Sequence, residues 1–239
     1  MKTIKARAIV LREYEAGESD KRLLLLCKGH GKVMAYARGA RKPSSKFMAA
    51  AQLFTYADFV LAQGSGFYAL AQAEVIESFY PLRQDYDRLM TACLLVELCE
   101  KTLWDNIPCD ELLLLILKSL SHLSRGKLPP EQITCVFLFR FFAFHGIQPQ
   151  VDACIVCSTS VEEMESGIFL AAEGVVCSSH KPMGSLPISA AATHAMQYIQ
   201  KNDLAKSFMF TVDKYTLKEM NQAAKLIIKS HFENLHHLS

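Results

Sequence analysis

No stretch of this 239-residue chain is apolar for long enough to cross a bilayer, which takes about 20 residues. The longest aliphatic run, Leu112–Leu117, is six residues and stops at Lys118, and the aromatic stretch Val136–Phe144 is broken by Arg140. The opening Met-Lys-Thr-Ile-Lys-Ala-Arg has no apolar core of the kind a secretion signal needs, so a soluble, cytoplasmic chain is expected. Without a signal, the eight cysteines do not read as a disulfide framework. Also missing are a G-x-x-x-x-G-K-[ST] phosphate loop, a G-x-S-x-G elbow and an H-E-x-x-H helix, which removes three large enzyme classes. Net charge is small, at +2, and identifies no partner by itself. Apolar residues make up 51% of the chain, enough to build a core and to exclude general disorder.

The charge is unevenly placed. Residues 1–80 carry 12 lysines and arginines against 7 acids, whereas residues 81–239 carry 14 against 17. Within Lys21–Lys46 there are eight basic residues and no acidic one: Lys21, Arg22, Lys28, Lys32, Arg38, Arg41, Lys42 and Lys46. A positive field concentrated in one segment is what a polyanion-binding surface requires.

That basic segment lies among predicted strands. Thr3–Tyr14 is rich in Ile, Val, Ala and Leu; Arg22–Cys27 is a leucine run; and the turn Lys28-Gly29-His30-Gly31 joins it to Lys32–Arg38 as a hairpin. Leu53–Leu61 and Phe67–Ile76 flank Gly64-Ser65-Gly66 as a second hairpin, and the polar loop Gly39–Lys46 separates the two. Five strands in so short a span suit a small barrel, because closure removes exposed edges. The pattern admits an OB-type or an SH3-like barrel.

Pro81 begins a helical period. Helices are predicted over Asp85–Trp104, Asp110–Leu123, Glu131–His145, Ser189–Gln200 and Thr216–Leu235, with Asp85 as a cap, Pro129-Pro130 as a starter and Gly146 as a stop. Leu112–Leu117 and Phe137–Phe144 are apolar nearly all round, so both helices are expected to be central.

Between the third and fourth helices the chain reads Cys154-Ile-Val-Cys157, nineteen residues, then Cys177-Ser-Ser-His180. Two ligand pairs at this separation suit a tetrahedral site in which each tight turn supplies two donors. Zinc is preferred by three thiolates and an imidazole, although spacing alone also admits iron. The competing reading is three buried thiols and a surface histidine. Four protein ligands leave no position for water, so the expected role is structural, adding on the order of 10–16 kcal/mol to the ordering of the segment. A small hairpin from Gly167–Leu170 and Gly174–Val176 would carry the second pair. Zinc deaminase chemistry wants P-C-x-x-C, and Ala153 precedes Cys154. No catalytic residue is predicted. Cys27, Cys93, Cys99, Cys109 and Cys135 lie in apolar surroundings and read as small core residues.

On an OB-type barrel the nucleic-acid face lies on strands 2 and 3 and the adjoining loops. Arg22, Lys32, Arg38, Arg41, Lys42 and Lys46 are the candidate phosphate contacts, with Tyr36, Phe47, Phe67 and Tyr68 as candidate stacking surfaces for single-stranded bases. The bland alternatives are a solvated face for the charges and core packing for the aromatics.

The ordered set of parts resembles the RecO family. The residues that carry the likeness are Lys5-Ala-Arg-Ala-Ile-Val-Leu-Arg12, Tyr14-Glu-Ala-Gly-Glu-Ser-Asp20, Gly31-Lys32-Val33, Ala37-Arg38-Gly39-Ala40-Arg41-Lys42, and the late Cys-x2-Cys pair after Gly146. The resemblance covers essentially the whole chain. It implies an α+β architecture: a five-stranded OB-type DNA-binding barrel at 1–80, then a helical domain at 81–239 with an inserted zinc module at about 151–183. It also implies a bacterial, nucleoid-associated recombination mediator without enzymatic turnover. Such a protein binds single- and double-stranded DNA, anneals complementary strands and assists RecA loading on DNA coated by single-strand-binding protein, with RecR and that protein as partners. Arg38, Arg41, Lys42 and Lys46 would carry the DNA-binding role. One departure stands out: zinc-binding members typically use four cysteines, and here the last ligand position is His180. Two other classes remain on the sequence alone, namely a metal-dependent enzyme and a zinc-containing interaction scaffold or regulator that does not anneal strands.

Overall fold

The computed structural model describes residues 3–64 and 67–232, which fall into two compact units that divide after Arg125. In the first unit the strands β1 (Thr3–Ala16), β2 (Asp20–Cys27), β3 (Gly31–Ala37), β4 (Tyr56–Gln63) and β5 (Tyr68–Glu77) close into a barrel of order β1-β2-β3-β5-β4. β3 and β5 pair in parallel and all other neighbours are antiparallel, the arrangement of an OB-type barrel. The five expected strands are all present, and Ser65 and Gly66 of the expected second turn lie outside the described residues.

Period-2 alternation builds the interior: Ala8, Val10, Leu23, Leu25, Val33 and Ala35 point inward with Phe59 and Leu61. β2 is a continuous leucine run because its outer face is covered as well; Leu24 and Leu26 are also buried. The register slips between Val10 and Arg12, a bulge beside the buried Leu11. The turns between β3 and β4 fold back and drive Phe47, Ala50 and Ala51 into the barrel core. Phe47 is therefore core and not a stacking surface, the alternative of core packing that the sequence had left open for it.

Two helices complete this unit. α1 (Tyr86–Thr102) is capped by Asp85, whose carboxylate accepts from the Arg88 N–H at 3.0 Å, and α2 (Asp110–Arg125) follows. Glu100 of α1 accepts from Tyr14 at 3.1 Å and pairs with Arg12 at 2.8 Å, which ties α1 to β1. The expectation that α2 is apolar all round and central needs correction. Leu112, Leu113, Leu115 and Ile116 are buried, but Leu114 is 50% exposed and the helix lies in the barrel's unit.

In the second unit α3 (Pro130–Phe144) is the centre, with Val136, Phe137, Phe139, Phe141 and Phe142 fully buried, and it packs against α4 (Ala190–Lys201) and α5 (Lys214–His231). A three-stranded sheet of order β7-β6-β8 is inserted before α4, formed by β6 (Ile168–Leu170), β7 (Val175–Cys177) and β8 (Leu186–Ile188). The first two strands are the expected hairpin; β8, only three residues long, gave no signal of its own. Among the described residues no helix is long and apolar enough to cross a membrane.

Candidate nucleic-acid interface and metal centre

The loop after β3 is held against the β1–β2 turn. The Gly39 N–H donates to Asp20 Oδ1 at 2.7 Å and the Arg41 N–H to the Ser19 carbonyl at 2.9 Å. This brings Arg38, Arg41 and Lys42 to one end of the barrel, all three exposed. Arg22 lies nearby on the outer face of β2, directly across from Tyr36 on β3, and its guanidinium sits 5.6 Å from the Tyr14 ring centroid. Lys46 is exposed too, with its ammonium 4.9 Å from the Phe47 ring. Among the described residues no carboxylate is within ion-pair distance of Arg22, Arg38, Lys42 or Lys46. Arg41 is partly engaged, pairing with Glu15 at 3.1 Å and donating to the Gly17 carbonyl at 3.1 Å.

Lys32 is placed differently from the other five. Its side chain is only 14% exposed; the ammonium donates to the Glu100 carbonyl at 2.9 Å and pairs with Asp105 at 3.3 Å. An ammonium so occupied is a poor phosphate contact, because it must first give up partners already made. The reason is tertiary. The connector between α1 and α2 runs along the β2–β3 hairpin, with the Asn106 N–H donating to the Lys32 carbonyl at 2.9 Å and the Gly29 N–H to Asp110 Oδ1 at 2.7 Å.

Of the aromatic candidates, Phe67 is 40% exposed and Tyr36 meets it edge-on at 5.4 Å between centroids. Phe67 and Tyr68 line a cleft of about 380 Å³ on the outer face of β2 and β3, together with Met34, Lys32, Asp105 and Asn106. The last two were not singled out by sequence. Their only signal was the short gap, Asp105–Cys109, between the first two predicted helices, directly after the chain's one tryptophan.

In the second unit Cys154, Cys157, Cys177 and His180 converge, with their donor atoms all within 4.8 Å of one another. The Cys157 and Cys177 sulfurs are 3.9 Å apart, and His180 Nδ1 lies 3.8 Å from Cys154 Sγ and 3.2 Å from Cys177 Sγ. With metal–sulfur and metal–nitrogen bonds of about 2.3 and 2.0 Å, tetrahedral edges come to roughly 3.8 Å for two sulfurs and 3.5 Å for sulfur and nitrogen. The four residues therefore fit a tetrahedral metal ion in donor type and in spacing.

Local structure explains the convergence. The Cys154 N–H donates to the Thr159 carbonyl at 2.8 Å and the Ser158 N–H to the Cys154 carbonyl at 2.9 Å, closing the first turn. Gly174 has φ +157°, and a Cβ there would lie 2.4 Å from the Gln150 carbonyl oxygen, so only glycine lets β7 approach the first turn. A single 3-10 turn, Ser178–His180, then returns the imidazole to the cysteines. α4 braces the module, with Gln197 donating to the Val151 carbonyl at 2.8 Å and Lys201 pairing with Asp152 at 2.7 Å. Burial opposes ionisation of Cys154, but the N–H groups of Cys157, Cys177 and Val156 outweigh it and bring the thiol down to about 6. For Cys177, burial is the leading influence and the net shift is upward, with the sulfurs of Cys157 and Cys154 adding to it.

A family model described as Recombination protein O, N terminal, matches residues 1–79, and one described as Recombination protein O, C terminal, matches residues 83–239. The chain belongs to the RecO family. It is 34% identical over 235 residues to the DNA repair protein RecO of Acetivibrio thermocellus, covering 98% of this chain and 93% of that one. The RecO of Alkaliphilus metalliredigens is 30% identical over 237 residues, with 97% and 95% covered, and that of Bacillus pumilus 31% identical over 221 residues, with 92% and 85% covered. The boundary between the two RecO models falls within a 3-10 turn, Tyr80–Gln84, whereas the compact units divide after Arg125, because α1 and α2 pack on the barrel.

Proposed function

We propose that this chain is a DNA-binding recombination mediator that acts without turnover. It binds single- and double-stranded DNA, anneals complementary strands and assists RecA loading on single-stranded DNA coated by single-strand-binding protein, with RecR as a further partner. Membership of the RecO family, whose relatives are named DNA repair proteins, supports this reading. The observation that carries it is the cluster of Arg38, Arg41 and Lys42 at one end of the barrel, with Arg22 on the adjoining outer face. Cations on a rigid barrel neutralise phosphates and release their counterions without reading sequence, which suits a protein that must act at any break. Residues 1–80 supply the DNA-binding barrel and residues 81–239 the helical body. Arg22, Arg38, Arg41, Lys42 and Lys46 contact phosphates, and Lys32 holds the connector that flanks them.

Cys154, Cys157, Cys177 and His180 hold a structural zinc ion. Their donor set suits zinc, and four protein ligands complete its coordination, so the metal's contribution is to fix the fold of the inserted module. A strand-annealing assay tests the function: the chain should accelerate pairing of complementary oligonucleotides, and Arg41→Glu with Lys42→Glu should abolish most of that acceleration. Binding to protein partners without any effect on annealing would instead identify an interaction scaffold.

A further inference from the structure

The cleft on the outer β2–β3 face has a chemistry unlike that of the cationic end beside it. Across β2 and β3, facing side chains run in order from Arg22 with Tyr36, through Leu24 with Met34, to Leu26 with Lys32. Between Arg22 at one end and Lys32 at the other, the middle of this face is apolar, with Met34 exposed over Leu24. Phe67 and Tyr68 form one wall; the connector supplies the other through Asp105 and Asn106. The Asp105 side chain is 72% exposed and, among the described residues, is the only carboxylate in the lining. The sole cation there, Lys32, already donates to Glu100 and Asp105.

A phosphate is disfavoured in such a place, since it meets an exposed carboxylate and the one cation in the lining is already engaged. A cationic peptide is disfavoured by Arg22 on the same face. What fits is a flat, neutral group that stacks on Phe67 and offers an amino hydrogen to Asp105. We infer that the cleft is a base-reading subsite that takes one unstacked nucleobase of a single strand, with Phe67 and Tyr68 as the stacking wall and Asp105 accepting from the base's exocyclic amino group. This rests on the reading of the barrel as a DNA-binding surface and adds to it a discrimination that phosphate contacts do not provide. Cytosine presents an N4 amino donor where thymine presents the O4 acceptor, so the carboxylate favours cytosine and repels thymine. The subsite is formed before ligand arrives, since the Asn106 N–H and Asp110 side chain pin the connector to the hairpin. Bases are held in register while the phosphates remain with Arg22 and the loop after β3.

Calorimetric titration of the full chain with equal-length homopolymers of deoxycytidine and thymidine tests this. The deoxycytidine strand should bind on the order of tenfold tighter, the worth of a hydrogen bond to a charged group. Asp105→Asn should bring the two affinities together while leaving the salt dependence of both unchanged, and Asp105→Glu should keep the preference. Phe67→Ala should weaken both strands by roughly fivefold or more. Equal affinities for the two homopolymers, or a preference that survives Asp105→Asn, would overturn the subsite and leave DNA binding intact. Failure of both strands to bind would remove the DNA-binding reading and the subsite with it.

Discussion

Gly31 and Ile107 are in contact backbone to backbone: a Cβ on Gly31 would lie 2.0 Å from the Ile107 carbonyl oxygen. Gly31 also has φ +72°, so this one residue both turns the β2–β3 hairpin and makes room for the connector between α1 and α2. Gly31→Ala must displace the connector or strain the turn. It should cost at least about 2 kcal/mol in a urea titration and should also erase the homopolymer preference, because Asp105 and Asn106 move with Ile107.

The metal centre predicts a local rather than a global response. The purified chain should carry one zinc ion by elemental analysis, and His180→Ala should lower that occupancy. Chelation should raise amide exchange across residues 150–188 and leave the barrel strands protected, since the cysteines and histidine are all in the inserted module. A chain that keeps full protection in this segment after chelation would show that the fold does not depend on the ion.

Acidification should destabilise the second unit through His145. Its ring lies 4.4 Å from the Phe141 centroid and 5.5 Å from that of Phe232, and its Nε2 is buried with no hydrogen-bond partner among the described residues. Burial lowers its pKa below the ordinary 6.5. The unfolded chain therefore takes up the proton first as pH falls, so the stability is complete above 6.5 and is lost progressively below it. His145→Leu should flatten the decline in unfolding midpoint between about pH 7.5 and about pH 5.5; an unaltered decline would place its origin elsewhere.

Trp104 offers a direct optical signal. It is the chain's only tryptophan, is 78% exposed and directly precedes Asp105. Its emission should be that of a solvated indole in the free protein, and should be quenched when a single-stranded oligonucleotide occupies the cleft. Quenching that is equal with Asp105→Asn and the deoxycytidine strand at low saturation would contradict a link between the two.

Much of this architecture is legible in the residues because the signals are local. Alternation in Lys32–Arg38, the cap at Asp85, the stop at Gly146, which has φ +71°, and the two short ligand pairs each declare themselves within a few positions. What was illegible depends on distant partners. Lys32 looks like any other member of a basic run until Asp105 and Glu100, some seventy positions away, are folded against it. Phe47, next to a run of basic residues, reads equally well as a stacking surface or as core, and only barrel closure makes it core. Leu114 belongs to an unbroken aliphatic run, yet one face of α2 stays in water, since the helix packs on its neighbours from one side only. Asp105 and Asn106 carry no motif; their placement comes from the glycine that lets the connector approach.

The most direct test of the account is the salt dependence of single-strand binding. With Arg22, Arg38, Arg41, Lys42 and Lys46 contacting five phosphates, log K against log salt concentration should fall with a slope of about −3.5, and Arg38→Ala with Lys42→Ala should reduce it to about −2. A slope near zero, or one that the double substitution leaves unchanged, would mean that the basic end of the barrel does not hold the DNA backbone.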